Sequence, residues 1–142
     1  MTTWLDLAQL MTGLIMTGLI WTVQLVVYPA FLHFSPEAFP NAHAAHSRRI
    51  GLIVGPLLLT EWSATIAWLT LFGGSLTHTQ CGIVACVVIA FLSTFLIQVP
   101  LHHRLSRGWD ERTIRMLVRT NWIRTLAWTA KGFLALLTVQ RG

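Results

Sequence analysis

Glu61 and Arg124 are the residues whose type and position first ask for a chemical explanation. Both stand inside long apolar stretches, Glu61 between Thr60 and Trp62 and Arg124 between Ile123 and Thr125. Each lies about 11 residues from the basic end of its stretch, roughly 16 Å at about 1.5 Å per helical residue. An ionisable group at that depth costs at least about 2.5 kcal/mol on insertion scales and marks a functional site by default. Their equal depth predicts a Glu61–Arg124 ion pair between neighbouring helices. Such a pair either pins helix register or sets the proton affinity of a general base.

Other polar residues share this half of the chain's apolar segments. Gln24 and Tyr28 are four apart and so lie on one helix face, and Gln98 and His102 repeat the spacing. Asn121, Arg124 and Trp128 follow at steps of three and four on one stripe. Polar faces turn away from lipid and towards other helices, so the set predicts a polar pocket. In it Glu61, Arg124 and Tyr28 would be the catalytic groups, while Gln24, Gln98, Asn121 and Trp128 would orient a substrate. Any one Gln or Asn, taken alone, reads more simply as an interhelical hydrogen bond.

Five of the six histidines (His33, His43, His46, His102 and His103) fall on the same side, with His78 on the other. Imidazole with a carboxylate is a ligand set for zinc, iron or copper, and the expected ligands are His46, Glu61 and His102. His33, His43 and His103 stand behind them. There is no His-Glu-x-x-His and no Cys-x-x-Cys, and histidines among lipid headgroups are the plainer reading. Haem is less favoured than a bare metal, because no histidine lies in the middle of a stretch. Cys81 and Cys86, about 140° apart on a helix, read as small buried hydrophobes.

The elements that must position these groups follow from composition. The 142 residues are 54% hydrophobic and only 11% charged, against about 25% charged in a soluble domain. The surface must therefore face lipid. Four apolar stretches run from about Trp4 to Phe31, Ile50 to Phe72, Thr79 to Leu101 and Thr113 to Val139. Each is long enough to cross a hydrocarbon core of about 30 Å, and none alternates as a strand would. The expected fold is an all-α membrane protein, a four-transmembrane-helix bundle forming one domain over residues 1–142. The first stretch has no basic leader and only Asp6 before its centre, so it is expected to be a span rather than a cleaved signal.

The connections are residues 32–49, 73–78 and 102–112. The first and third carry Arg48, Arg49, Arg104, Arg107 and Arg112, while the second has no Lys or Arg. The positive-inside bias puts the two basic loops in the cytoplasm and both termini outside, in what is expected to be a bacterial plasma membrane. The net charge of +5 then meets anionic membrane lipids rather than nucleic acid. Trp4 and Trp109 fit interfacial anchors; Trp62, Trp68, Trp122 and Trp128 lie deeper, and Lys131 is expected to snorkel outward.

The segment Gln98-Val-Pro-Leu-His-His-Arg-Leu105, followed by Asn121-Trp-Ile-Arg-Thr125 and Trp128, resembles the small four-span membrane proteins grouped with the anthrone oxygenases. The likeness covers about residues 95–128. Val99, Pro100, Leu101, Leu105, Arg124 and Thr125 match the family's pattern, and His102 stands where that pattern has Asn. The resemblance implies an oxidoreductase or oxygenase-like enzyme acting on a lipophilic small molecule. Other classes compatible with the sequence are a small proton-coupled transporter centred on Glu61, and a non-catalytic assembly subunit. Small residues at Gly13, Thr17, Gly18, Gly82 and Ala85 would let the latter pack into a homo-oligomer.

Overall fold

Long apolar runs without alternation become helix. The computed structural model describes residues 3–72 and 76–141, and among them it contains four long helical segments and no strand. They are α1 (Trp4–His33), α2 (Phe39–Phe72), α3 (His78–Leu105) and α4 (Glu111–Arg141). Local sequence sets the starts. The Thr3 hydroxyl accepts from the Asp6 amide while Asp6 accepts from the Thr3 amide, a reciprocal cap that satisfies two otherwise orphaned donors. Thr77 and Gln80 do the same for α3. Asp110 caps α4 by accepting from the Thr113 amide at 3.0 Å. Hydrogen bonds from the Thr113 side chain and the helix-start amides, with the Arg112 charge, hold its carboxyl below the usual carboxylate range.

Prolines set the pitch further along. Pro29 in α1 and Pro100 in α3 are each preceded by one wide π turn, Val23–Val27 and Thr94–Gln98. The ring of a helical proline clashes with the carbonyl one turn back. Letting the Tyr28 amide bond to Val23 O, and the Val99 amide to Thr94 O, widens the helix just before that point. Both π turns carry a glutamine, Gln24 and Gln98, and turn it into the bundle, where both are buried.

Two expected connections are shorter than the sequence suggested. Residues 39–49 are helical and begin α2, so His43, His46, Arg48 and Arg49 stand on a helix rather than in a loop. The polarity of that stretch hid its continuity with the apolar run after it. Likewise α3 continues through His102 and His103 to Leu105, and the chain then turns at Gly108, whose φ of 148° suits a residue without a side chain. Of the expected turn at 73–78, residues 73–75 lie outside the described residues, and His78 opens α3.

α4 packs against both α1 and α3, and α2 leans mainly on α1. Backbones meet most closely where α1 crosses α4: a Cβ on Gly13 would stand 2.9 Å from Lys131 Cδ and 3.3 Å from Gly132 Cα. Thr17 faces Gly132 there, and a Cβ on Gly82 would press on Leu134. Gly13, Thr17 and Gly82 thus serve contacts within the chain, whereas Gly18 faces open space.

The bundle buries polar side chains among its apolar core and leaves many large apolar ones outside. Leu25, Leu52, Leu59, Leu71, Leu96 and Leu126 are exposed, while Gln9, Gln24, Glu61, Gln98, Asn121, Arg124 and Lys131 are buried. α1, α2 and α3 are long and apolar enough to cross a membrane. α4, which carries Arg112, Arg115, Arg119, Arg124 and Lys131, is not among those that meet that test.

Candidate functional site

The expected stripe Asn121, Arg124 and Trp128 is real, and it continues three residues further to Lys131. All four side chains are buried. Along this stripe the bundle builds two separate polar centres rather than one.

The first joins three helices. Lys131 Nζ lies 2.9 Å from Glu61 Oε2, both side chains being wholly shielded. The ammonium also donates to the Gln9 carbonyl and lies 3.4 Å from Thr12 Oγ1. The Thr12 hydroxyl donates to the same Glu61 oxygen, and Gln9 Nε2 donates to Thr65 Oγ1 at 3.0 Å. Glu61 therefore pairs with Lys131 and not with Arg124. The expectation failed because the depth comparison started α2 at residue 50 instead of Phe39, and because Lys131 was read as snorkelling. Its amine instead bends inward where Gly13 leaves room for the side chain.

The second centre surrounds Arg124, about 10 Å along α4 at about 1.5 Å per residue. Gln24 Nε2 donates to the Val118 carbonyl at 3.1 Å, and Gln24 Oε1 accepts from Asn121 Nδ2 at 2.9 Å and Thr125 Oγ1 at 3.2 Å. Asn121 Oδ1 in turn accepts from Arg124 Nη1 at 3.3 Å. Gln24 and Asn121 thus hold the arginine from behind. Arg124 is only 6% exposed, and its Nε has no hydrogen-bond partner among the described residues. No carboxylate among them pairs with it either.

Arg124 lines a cavity of about 250 Å³. Met16, Leu19, Ile20 and Val23 of α1, Ile50 and Val54 of α2, and Val99 of α3 make its wall mostly apolar. Tyr28, Ser47, Thr94, Gln98, His102 and Arg124 supply the polar side chains. Behind that wall runs a chain of hydrogen bonds: the Tyr28 hydroxyl to His102 Nε2 at 3.0 Å, then His102 Nδ1 to His43 Nε2 at 2.9 Å. His46 stacks over His102 at a ring separation of 6.1 Å, and Phe31 and Phe39 enclose His43.

Of the residues expected at the site, Tyr28, Gln98, His102 and Arg124 come together on the cavity. Gln24 and Asn121 stand just outside it, supporting Arg124. Trp128 packs instead with Met16, Ile20 and Ala90 in an apolar cluster, and Glu61 belongs to the other centre. This divides the expected metal set. Glu61 is engaged by Lys131 and Thr12 in the other centre, while His46 lies beside His102, both of whose ring nitrogens are engaged elsewhere. Among the described residues no three His, Cys, Asp or Glu side chains assemble as a metal-holding group. His33 and His103 are exposed.

Sequence reasoning ranked His43 behind His46 and His102, and it gave no site role to Lys131, Gln9 or Thr12. Two signals pointed to those three. Lys131 lies three positions after Trp128, and Gln9 and Thr12 share a face of the first stretch. Comparison of the chain with protein-family models, with curated proteins and with solved structures gives no match.

Proposed function

We propose that the chain is an integral membrane protein with four spans, α4 included, that binds a lipophilic small molecule in the cavity and acts as an oxidoreductase on its polar end. The observation that carries this reading is the cavity itself. Its walls are apolar, and Tyr28, Gln98, His102 and Arg124 gather on it as the groups able to hold and react with a polar substituent. Small-molecule sites have this composition, a mostly apolar cleft with a few placed polar groups. The apolar exterior suits α4 as a fourth span, because Arg124 and Lys131 are shielded by its neighbours. The basic residues Arg48, Arg49, Arg104, Arg107 and Arg112 favour a cytoplasmic position for that end of the bundle.

The chain of hydrogen bonds gives the site a way to exchange a proton. In one arrangement the Tyr28 hydroxyl donates to His102 Nε2, and His102 Nδ1–H donates to His43. In the other, His43 donates to His102 Nδ1, and His102 Nε2–H donates to the Tyr28 oxygen. Passing from the first to the second carries the Tyr28 proton to His102 and the His102 proton to His43. His43 then gains the positive charge and the Tyr28 oxygen can take a proton at the cavity; the reverse passage returns it. This is the acid–base work that oxidation of a phenolic or enolic substrate needs. The resemblance to the anthrone oxygenases supports oxygenation, with dioxygen as the oxidant. A carrier centred on Glu61 would need that carboxylate to face a substrate path, and its engagement by Lys131 and Thr12 favours the enzyme.

Solvent extraction and mass spectrometry of protein purified in lipid nanodiscs test the reading. A lipophilic non-lipid molecule is expected from the wild-type protein and not from Val54→Trp, which fills the apolar wall. Its absence from both, or equal amounts in both, contradicts the reading.

A further inference from the structure

Among the described residues Arg124 is a buried cation without an anion. Each Asp and Glu side chain is committed elsewhere or lies away from it: Asp6 on the Thr3 cap, Glu61 on Lys131, Asp110 on the Thr113 amide and Glu111 on Arg115. Glu37 lies in the α1–α2 turn, outside the helices. A lone guanidinium shielded from water is costly, and it is tolerated where a partner of opposite charge completes it. One of its nitrogens is fixed by Asn121 and the Tyr28 hydroxyl lies beside the guanidinium, while the buried Nε has no partner among the described residues. An edge of the fork is left for an oxyanion, which arginine binds through paired hydrogen bonds.

Resting on the oxidoreductase reading of the same cavity, we propose that it takes a small lipophilic monocarboxylate, its carboxylate paired with Arg124 and its apolar body lying among Met16, Ile20, Val23, Ile50 and Val54. Charge selects the head: one negative charge balances one guanidinium, whereas a phosphate dianion would be left half-compensated. The wall selects the body, since apolar side chains offer a sugar or peptide nothing to bond. Size bounds it too. At about 250 Å³ the cavity falls just below the roughly 300–1,000 Å³ of drug-sized pockets, which suits a two-ring aromatic acid or a short fatty acid.

The test compares naphthoate with its uncharged amide by equilibrium dialysis against the protein in zwitterionic nanodiscs, with empty discs subtracted. Naphthoate is expected to bind about ten- to a hundred-fold more tightly than the amide, the ratio that charge-assisted hydrogen bonds supply. Arg124→Gln should abolish the preference and Arg124→Lys should keep part of it. The comparison within the wild-type protein stands even if Arg124→Gln fails to fold. Equal binding of acid and amide, both lost in Val54→Trp, would overturn the carboxylate while leaving the cavity reading intact. Binding of neither overturns both. If naphthoate is displaced once phosphatidylglycerol enters the discs, the anion at Arg124 is a lipid headgroup and the monocarboxylate is overturned.

Discussion

At Lys131 a long side chain carries its charge not outward to the membrane surface but inward to Glu61, through space that Gly13 leaves open. That one contact alters the meaning of Arg124, which would otherwise have been the partner of the same carboxylate. Removing half of a buried pair leaves an uncompensated charge and costs about 3–5 kcal/mol, while replacing both halves by apolar groups is often neutral. Glu61→Leu alone should therefore lower stability to denaturant by about 3 kcal/mol or more. The double variant Glu61→Leu/Lys131→Leu should recover most of that loss. If the double variant recovers nothing and Glu61→Leu/Arg124→Leu does, Arg124 is the true partner. The types and faces of these residues were legible in the sequence, because helical spacing alone aligns Asn121, Arg124 and Trp128. Their partners were not, because partnership depends on where each helix begins and on how far a flexible side chain reaches.

At the scale of the elements, two devices position the site. The π turns ahead of Pro29 and Pro100 rotate the helix segments beyond them, bringing Tyr28 and His102 to within 3.0 Å of each other. The prolines were visible in the sequence, but which turn would widen to accommodate them was not, since a proline can also kink or end a helix. The second device is the close crossing of α1 and α4 at Gly13 and Gly132, which brings Gln9 and Thr12 to Lys131. Gly13→Val should force the helices apart and cost about 1–3 kcal/mol, as overpacking does. Gly18→Ala, where a side chain meets nothing, should leave stability unchanged or slightly raised, since alanine favours helix. Unfolding of the two variants side by side checks this, and equal loss in both would contradict the crossing.

For the molecule as a whole, the number of long helices and the apolar character of α1, α2 and α3 were readable from composition, whereas α4 carries too much charge to meet the same test. The division of the interior was not readable. One polar half had been expected, and the bundle instead holds two centres along α4, a closed one at Glu61 and Lys131 and an open one at Arg124. The gap that makes the second possible arises because α2 leans on α1 and leaves space between itself, α1 and α3, a matter of packing that no local pattern encodes. The proposed chemistry depends on this division, since a paired Arg124 would leave the cavity with no charge to recruit an anion. An experimental density map of the protein purified from its own membranes tests it most directly. The expected map shows Glu61 on Lys131 and elongated density in the cavity ending at the Arg124 guanidinium. A map in which Arg124 reaches Glu61, with side chains filling the space between α1, α2 and α3, would contradict it.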